Sequence, residues 1–323
     1  MSVSIKKYLW LVFAVAGGIY PCIAGSSYAV HIGVVVLMFA VLSISFDMLA
    51  RTGQVSVGHA ALFGLGAYFA VIVFQKLDFN PVLTIFVGGV LTAVVAAGFG
   101  FITLRMRGIY FSIATICFAE TLQVLALMAR SITGGAIGIS VPPLFGGNIV
   151  LSYYFILGLL LLAIFVVRII EGSRLNFAFT AIRENESIAN VLGINPTKYK
   201  VLSFVLSAFF AGCVGGFYAY YITYIIPYEV FGINISVACL VMPVFGGLYT
   251  VAGPLLGAVI LKIAEEFLRT SIPYGHMIVY GVILVIAVLY MPSGIVGLVG
   301  KGRHENRFDV KLTTQGERKN DTA

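Results

Sequence analysis

The apolar positions of this chain lie in long continuous runs and do not alternate with polar positions. Two runs, 150–167 and 276–291, are long enough to cross, or nearly cross, a hydrocarbon core, which needs roughly 20 helical residues. Within lipid, the backbone N–H and C=O groups of a spanning segment must be hydrogen-bonded inside the protein, which only a helix or a closed β-barrel allows. The strands of a barrel would alternate polar and apolar residues, and these runs do not. The pattern predicts an all-α integral membrane protein with about ten transmembrane helices: 8–24, 30–50, 54–74, 81–104, 108–129, 150–167, 201–222, 234–249, 252–268 and 275–291.

The composition supports a membrane protein, and the distribution of charges predicts how the bundle is oriented in the membrane. Of 323 residues, 60% are hydrophobic and 10% are charged, with a mean hydropathy of +1.03, whereas soluble domains carry about a quarter charged residues. If the amino terminus is inside, most Lys and Arg residues fall in cytoplasmic segments, and only Lys76, Arg130 and Arg269 fall outside. The positive-inside rule therefore favours two cytoplasmic termini. The net charge of +7 indicates contact with anionic lipid headgroups, not with nucleic acid.

The ends of the chain and one long loop allow more than one interpretation. The start, with Lys6 and Lys7 before an apolar run, resembles a cleaved signal peptide, but a retained first span is favoured because many spans follow. The Gly-rich segment 130–149 predicts a flexible external loop or a re-entrant hairpin. Residues 301–323 are polar and predict a disordered cytoplasmic tail. The transmembrane domain would then cover 1–300.

One polar stretch, 171–200, lies on the side predicted to be cytoplasmic. If 177–192 is a helix, one face is apolar except at Asn185, and comprises Ala178, Ala181, Ile182, Ile188, Ala189 and Leu192. Gly193 suits the left-handed position after a helix end, and Pro196 prevents the helix from continuing. The sequence predicts a short amphipathic helix that lies on the membrane surface or docks into a partner.

Polar residues inside the predicted spans are functional candidates, because polar groups are costly in lipid. They are Asp47, Gln54, His59, Glu120 and Gln123, with Glu265 and Glu266 near a span end. A proton relay through Asp47, His59 and Glu120 is one interpretation, and hydrogen bonds that fix helix packing are the other. Because Arg51 lies four residues after Asp47, an intrahelical ion pair at the membrane edge would also account for Asp47.

The motifs of common enzymes are missing from the sequence. The stretch GIVGLVGKG at 294–302 differs from a phosphate-binding loop at Ile295, where a Gly is needed, and at Gly302, where the Mg²⁺ ligand Ser or Thr should stand. HExxH and GxSxG are absent as well. We therefore predict that the chain is not an enzyme, holds no cofactor and does not hydrolyse ATP by itself.

Five stretches resemble the LivM-type permeases of branched-chain amino acid ABC importers. They are GQVSVGHAALFGLGAYFAV (53–71), RGIYFSIATICFAE (107–120), TGGAIGI (133–139), AIRENESIANVLGINPTKYK (181–200) and VFGGLYTVAGPLLGAVIL (244–261). They occur in the order of that family and extend over nearly the whole membrane portion. The resemblance implies a transmembrane permease domain, with 171–200 as its cytoplasmic coupling loop.

The resemblance also implies roles for particular residues. In such permeases a loop with Glu, Ala and then Gly forms a coupling helix that sits in a cleft of the ATPase. Glu186, Ala189 and Gly193 match that pattern here, and Arg183 and Glu184 match its flanking sequence. The resemblance therefore favours docking over binding to the membrane surface.

The same resemblance implies partners, a location and a cargo. The partners are a second homologous permease of the LivH type, two ATPases that bind ATP and Mg²⁺, and an extracytoplasmic solute-binding protein, all around a multi-pass subunit in a bacterial-type inner membrane. Branched-chain or related amino acids are the expected cargo, and similar permeases carry urea or short amides.

The translocation path is predicted less directly. The Gly-rich segment 53–66 would line it with Gln54, Ser56 and His59, because loosened helices offer polar backbone to cargo at membrane depth, and Glu120 is a further candidate. Close helix packing is the alternative explanation of the glycines. The rival function is a secondary transporter or channel that runs on an ion gradient through Asp47, His59 and Glu120.

Overall fold

The computed structural model describes residues 17–22, 25–106, 108–271, 275, 278, 281–282, 285 and 294–301. Helices dominate this part of the chain. Their bounds are α1 (Ser27–Ala50), α2 (His59–Leu77), α3 (Pro81–Thr103), α4 (Ile109–Met128), α5 (Arg130–Thr133), α6 (Ile149–Gly172), α7 (Arg174–Glu184), α8 (Glu186–Val191), α9 (Pro196–Ile222), α10 (Pro227–Val230), α11 (Ile233–Gly246), α12 (Ala252–Ser271) and α13 (Gly294–Lys301).

Seven segments of the described chain are long and apolar enough to cross a membrane: α1, α2, α3, α4, α6, α9 and Pro227–Gly246, which contains α10 and α11. Each corresponds to one predicted span. The predicted span 252–268 is the helix α12, whose charged residues, Lys262 and Glu265 among them, keep it outside the seven. The predicted spans 8–24 and 275–291 lie mostly outside the described residues, as do both termini and the tail. The chain is thus an all-α membrane protein, while ten spans and cytoplasmic termini stay predictions.

Several helix starts follow from local capping chemistry. Ser26 accepts a hydrogen bond from the backbone N–H of Ala29 at the start of α1. Asn80 and Asn195 cap α3 and α9 in the same way, and each is followed by a proline at the first helical position. A capping side chain accepts hydrogen bonds from the first N–H groups of the helix, which have no partner within the helix. Proline at the first helical position has no N–H, so no hydrogen bond is lost.

Small residues bring the central helices into backbone contact. α9 packs against α2 and α3, and a Cβ added at Gly66 would lie 2.1 Å from the carbonyl oxygen of Gly212. A Cβ at Gly215 would lie 1.9 Å from the carbonyl oxygen of Phe63. Close packing replaces the hydrophobic drive that lipid removes, so these glycines hold the centre of the bundle together.

The third predicted span, 54–74, begins later than expected. Residues 54–58 are not helical, and α2 starts at His59. The preceding turn is tied to α4 instead, because the backbone N–H groups of Val57 and Gly58 donate to Thr115 Oγ1, at 3.2 and 3.3 Å. Gly58 has no room for a side chain, since a Cβ would lie 1.8 Å from the carbonyl oxygen of Thr115.

The segment 130–149, predicted to be a flexible loop or a re-entrant hairpin, contains short elements of regular structure. It contains α5, two short 3₁₀ turns and the strand β1 (Ile139–Ser140), which pairs antiparallel with β2 (Tyr224–Ile225). We call this end of the bundle the strand end. The opposite end, with the turn at 51–58 and the segment 173–195, is the Arg51 end.

Candidate functional site

The segment between α6 and α9 forms two helices and not the single helix predicted for 177–192. The chain breaks at Asn185, whose backbone is extended at φ −162° and ψ 113°. Its side-chain Oδ1 accepts hydrogen bonds from the N–H groups of Ser187, at 2.9 Å, and Ile188, at 3.2 Å. Asparagine competes for backbone donors in this way and favours a helix start over a helix interior. The prediction of one continuous helix is therefore wrong at Asn185.

The end of α8 follows the sequence prediction. Gly193 has φ +77°, in the left-handed region that favours glycine. The N–H of Ile194 donates to the carbonyl of Ala189 at 2.9 Å, and the N–H of Gly193 to that of Asn190 at 3.0 Å. These bonds satisfy carbonyls that a helix end leaves open. A Cβ on Gly193 would meet nothing within 4 Å, so the backbone angle and not crowding disfavours a side chain there.

Some apolar residues of this segment are buried against the bundle, and others are exposed. Ala178, Ile182 and Ala189 are buried, as the predicted apolar face requires. Ile188 and Leu192 belong to the same predicted face but are 57% and 58% exposed, and Val191 between them is 87% exposed. The break at Asn185 changes the helix direction, so α8 and the residue that follows it present an exposed apolar surface, the α8 surface, formed by Ile188, Val191 and Leu192.

Glu186, at the start of α8, forms an ion pair with Lys200 of α9. The Lys200 ammonium donates to Oε1 of Glu186, and the Lys200 side chain is 1% exposed while that of Glu186 is 25% exposed. A buried ammonium needs such a partner. Sequence reasoning selected Glu186 and missed Lys200, because a spacing of fourteen residues across a helix break leaves no periodic signal.

Arg183 and Glu184, in the last turn of α7, have unequal surroundings. The Arg183 guanidinium lies 4.0 Å from the centre of the Tyr249 ring, and its Nη2 lies 3.3 Å from Glu184 Oε1. The Glu184 side chain is 72% exposed, so its ion pair contributes little. Burial raises the pKa of Tyr249, so the phenol stays neutral and the contact is that of a cation with an aromatic ring.

Tyr249 connects this contact to the end of α1. Its backbone N–H donates to Asp47 Oδ1 at 2.6 Å, and Asp47 Oδ2 accepts from Arg51 Nε at 2.9 Å. Arg51 Nη2 also reaches Glu171 Oε1, at 3.1 Å, near the end of α6. The predicted ion pair of Asp47 with Arg51 is confirmed, whereas Tyr249 and Glu171 join it through long-range contacts that the sequence does not reveal.

The residues proposed for a path fall into two groups. Gln54, Ser56 and His59 are buried, and Gln54 Oε1, Ser56 Oγ and His59 Nδ1 have no hydrogen-bond partner in the described chain. The other ring nitrogen of His59 lies 2.9 Å from Ser45 Oγ. Glu120 is instead exposed on α4. No hydrogen bond or ion pair joins Glu120 to His59 or Asp47 among the described residues.

These features define a class, a multi-pass membrane protein with a capped two-helix segment packed on one end of its bundle. The family model for "Branched-chain amino acid transport system / permease component" matches residues 28–288. Among curated proteins, the high-affinity branched-chain amino acid transport system permease protein LivM of Salmonella typhimurium is 29% identical, covering 83% of this chain and 69% of its own length. LivM of Escherichia coli is 28% identical over 90% of this chain and 75% of its own length.

A LivH permease of Escherichia coli is also related, at 24% identity over 80% of this chain and 91% of its own length. No solved structure matches the chain significantly. The chain belongs to the branched-chain amino acid transport system permease family and is a permease of the LivM type. As a membrane subunit of that family it is not itself an enzyme.

Proposed function

We propose that this chain is the LivM-type permease subunit of an ATP-driven importer in a bacterial inner membrane, and that α8 is its coupling helix. The observation that carries the proposal is the α8 surface, formed by Ile188, Val191 and Leu192. Separate ATPase subunits would bind ATP and Mg²⁺, and an extracytoplasmic solute-binding protein would deliver the cargo.

The polar side of α8 favours a protein partner over the membrane surface. Helices that lie in the lipid interface carry Lys and Arg on their polar face. The six residues of α8, ESIANV, include no basic residue, and Ser187 and Asn190 are exposed beside the apolar surface. A short apolar helix face with neutral polar flanks fits the groove of another protein.

Two contacts would transmit a movement of this segment to the bundle. The ion pair of Glu186 with Lys200 fixes α8 to α9. The contact of Arg183 with Tyr249, whose N–H holds Asp47, connects α7 to the end of α1. Closure and opening of the ATPases would thus tilt the spanning helices and alternate access to the cargo.

The test measures substrate-stimulated ATPase activity in the reconstituted complex. Gly193→Val imposes a left-handed angle on a β-branched residue, and Glu186→Lys places two cations together. Both should lower the stimulated activity while the subunits still co-purify. Gly158→Val is the matched control, because Gly158 has an ordinary φ and nothing lies within 4 Å of its Cβ position. Unchanged stimulation in both coupling variants would remove the docking role of α8.

A second permease of the LivH type is the proposed neighbour of α4. Glu120 lies in the middle of this candidate span and is exposed together with Ile113 and Val124. A carboxylate in lipid is costly, so it should face another subunit or an aqueous path. Glu120→Leu should reduce co-purification of the second permease or uptake. If the variant instead assembles and transports as well as the unaltered chain, Glu120 faces lipid.

Gln54, Ser56 and His59 are the proposed lining of the path near the Arg51 end. Buried polar atoms without partners are costly, so a state of the transport cycle in which cargo or water reaches them would satisfy them. Ser56→Ala removes one such atom with little change in volume, and it should alter the uptake rate without lowering assembly. Uptake equal to that of the unaltered complex would exclude Ser56 from the path.

Branched-chain or related amino acids are the proposed cargo, on the strength of the family and its named members. Urea or short amides are the alternative, and competition for uptake by unlabelled solutes separates them. A secondary transporter driven by protons through Asp47, His59 and Glu120 is the rival function. Uptake by the purified chain alone, in proteoliposomes with a proton gradient, would establish the rival. The pairing of Asp47 with Arg51 counts against it.

A further inference from the structure

A cavity of about 390 Å³ opens near the strand end, between α1, α2, α9 and the segment containing α10 and α11. Its volume falls within the range of small-molecule sites, roughly 300 to 1,000 Å³. The residues proposed for coupling and for the path do not line it. The charge pattern that predicts a cytoplasmic Arg51 end places this cavity on the opposite, external side.

The inner wall of the cavity is mostly apolar, and His31, Tyr218 and Tyr228 also line the cavity. Val35, Met38, Phe39 and Leu42 line it from one stripe of α1, and Phe63 of α2 completes the floor. Residues spaced three and four apart share one face of a helix. This wall suits an aliphatic side chain.

The rim of the cavity carries groups of opposite polarity. Glu229 of α10 contributes a carboxylate, and it forms no ion pair among the described residues. Gly232 and Asn234 line the rim at the start of α11, where no side chain caps the helix. The first N–H groups of a helix carry partial positive charge and bind carboxylates. A carboxylate of the protein and a positive helix end therefore border the same apolar space.

We propose that this cavity, which we call the outer cavity, is a binding site for an aliphatic α-amino acid on its way through the permease. The ammonium group would contact Glu229, the carboxylate would contact the start of α11 and Asn234, and the side chain would lie against Met38 and Leu42. The inference rests on the proposed function and adds a site to it. A lipid acyl chain would suit the wall but would leave the rim groups without a ligand.

The floor of the outer cavity leads toward the buried polar residues of the proposed path. Leu42 and Phe63 lie four residues from Phe46 and His59 on their helices, and the rings of Phe46 and His59 meet edge to face at 5.6 Å. His59 in turn contacts Ser45 and Ser207. A layer of one helical turn thus separates the outer cavity from these polar residues, and a tilt of α1 against α2 would open it.

The first experiment is thiol labelling of Val35→Cys in the assembled transporter, with the exposed Cys22 and Cys117 changed to Ser. A water-soluble maleimide added from the outside should label Cys at this position, and leucine with its binding protein should slow labelling several-fold, whereas urea should not. Labelling that leucine does not slow would overturn the proposal. Labelling only by a lipid-soluble maleimide would show that lipid fills the cavity, which also overturns it.

The second experiment measures leucine uptake by the assembled transporter. Glu229→Gln removes one charge-assisted contact and should reduce uptake about tenfold. Val35→Trp fills the cavity and should reduce it at least as much. Val94→Trp is the matched control, because Val94 is 64% exposed on α3. If the unaltered transporter takes up no aliphatic amino acid, the proposed function fails. If the unaltered transporter takes up leucine, and Glu229→Gln and Val35→Trp take it up as fast as Val94→Trp, only the proposed role of the outer cavity is refuted.

Discussion

Removing one partner of the buried ion pair of Asp47 with Arg51 should destabilise the chain strongly, because it leaves an uncompensated charge in the interior. Both residues are buried, with side chains 2% and 4% exposed, and Nε and Oδ2 lie 2.9 Å apart. At an effective dielectric constant of about 20 their gross attraction is about 6 kcal/mol. Asp47→Asn keeps an acceptor for the N–H of Tyr249 and removes only the charge. It leaves a buried guanidinium short of compensation, so it should cost about 3 to 5 kcal/mol.

Glu171→Gln removes the other carboxylate paired with the Arg51 guanidinium, so its cost can be compared with that of Asp47→Asn. Glu171 Oε1 lies 3.1 Å from Arg51 Nη2, but the Glu171 side chain is 25% exposed. Water screens that pair, and its loss should cost about 1 kcal/mol or less. The double variant Asp47→Asn/Arg51→Met removes the stranded cation, so it should recover at least about 2 kcal/mol relative to the sum of the two single variants.

The free energy of unfolding of each variant can be measured on the purified chain in mixed detergent micelles, by circular dichroism against the fraction of denaturing detergent. The expected order of destabilisation is Asp47→Asn first and Glu171→Gln well below it. Equal costs for the two variants would refute the reasoning, because burial would then not decide the strength of these ion pairs. Additivity in the double variant would refute it independently.

Other contacts give further predictions. Gly66→Ala should destabilise the bundle by about 1 to 3 kcal/mol or more and lower the yield of folded protein, because its Cβ would meet the Gly212 carbonyl, whereas Gly98→Ala, with nothing within 4 Å, should not. Val191→Asp should lower substrate-stimulated ATPase activity without affecting the thermal stability of the isolated permease, because Val191 is 87% exposed. Tyr249→Ala should cost about 0.5 to 1 kcal/mol through the lost contact with Arg183, and Tyr249→Phe should cost less in the same unfolding assay.

The sequence predicts the spanning helices well because lipid imposes a simple rule on them. An apolar run that satisfies its own backbone must be a helix of a certain length. The capping residues Asn195 and Gly193 act within one turn of the chain, so their effects are also visible in the sequence. The ion pair of Asp47 with Arg51 is local as well, at a spacing of four residues.

The parts that the sequence does not predict depend on contacts between distant segments. The turn before α2 is unwound because Thr115 of α4 accepts its N–H groups. Lys200 and Tyr249 enter the candidate site from other elements, and their pairing with Glu186 and Arg183 has no periodic signature. Asn185 carried a local signal, but the apolar pattern on both sides of it favoured one helix over two.

The break at Asn185 divides the segment 173–195 into two helices that contact different parts of the bundle. α8 is fixed to α9 through Lys200, whereas α7 bears on the end of α1 through Tyr249, and a single extended residue separates the two helices. A single continuous helix would transmit any displacement to α9 and to the end of α1 in a constant ratio. If α8 is the coupling helix, as proposed, the direction of a displacement across this break, and not only its size, would determine whether α9 or α1 moves more.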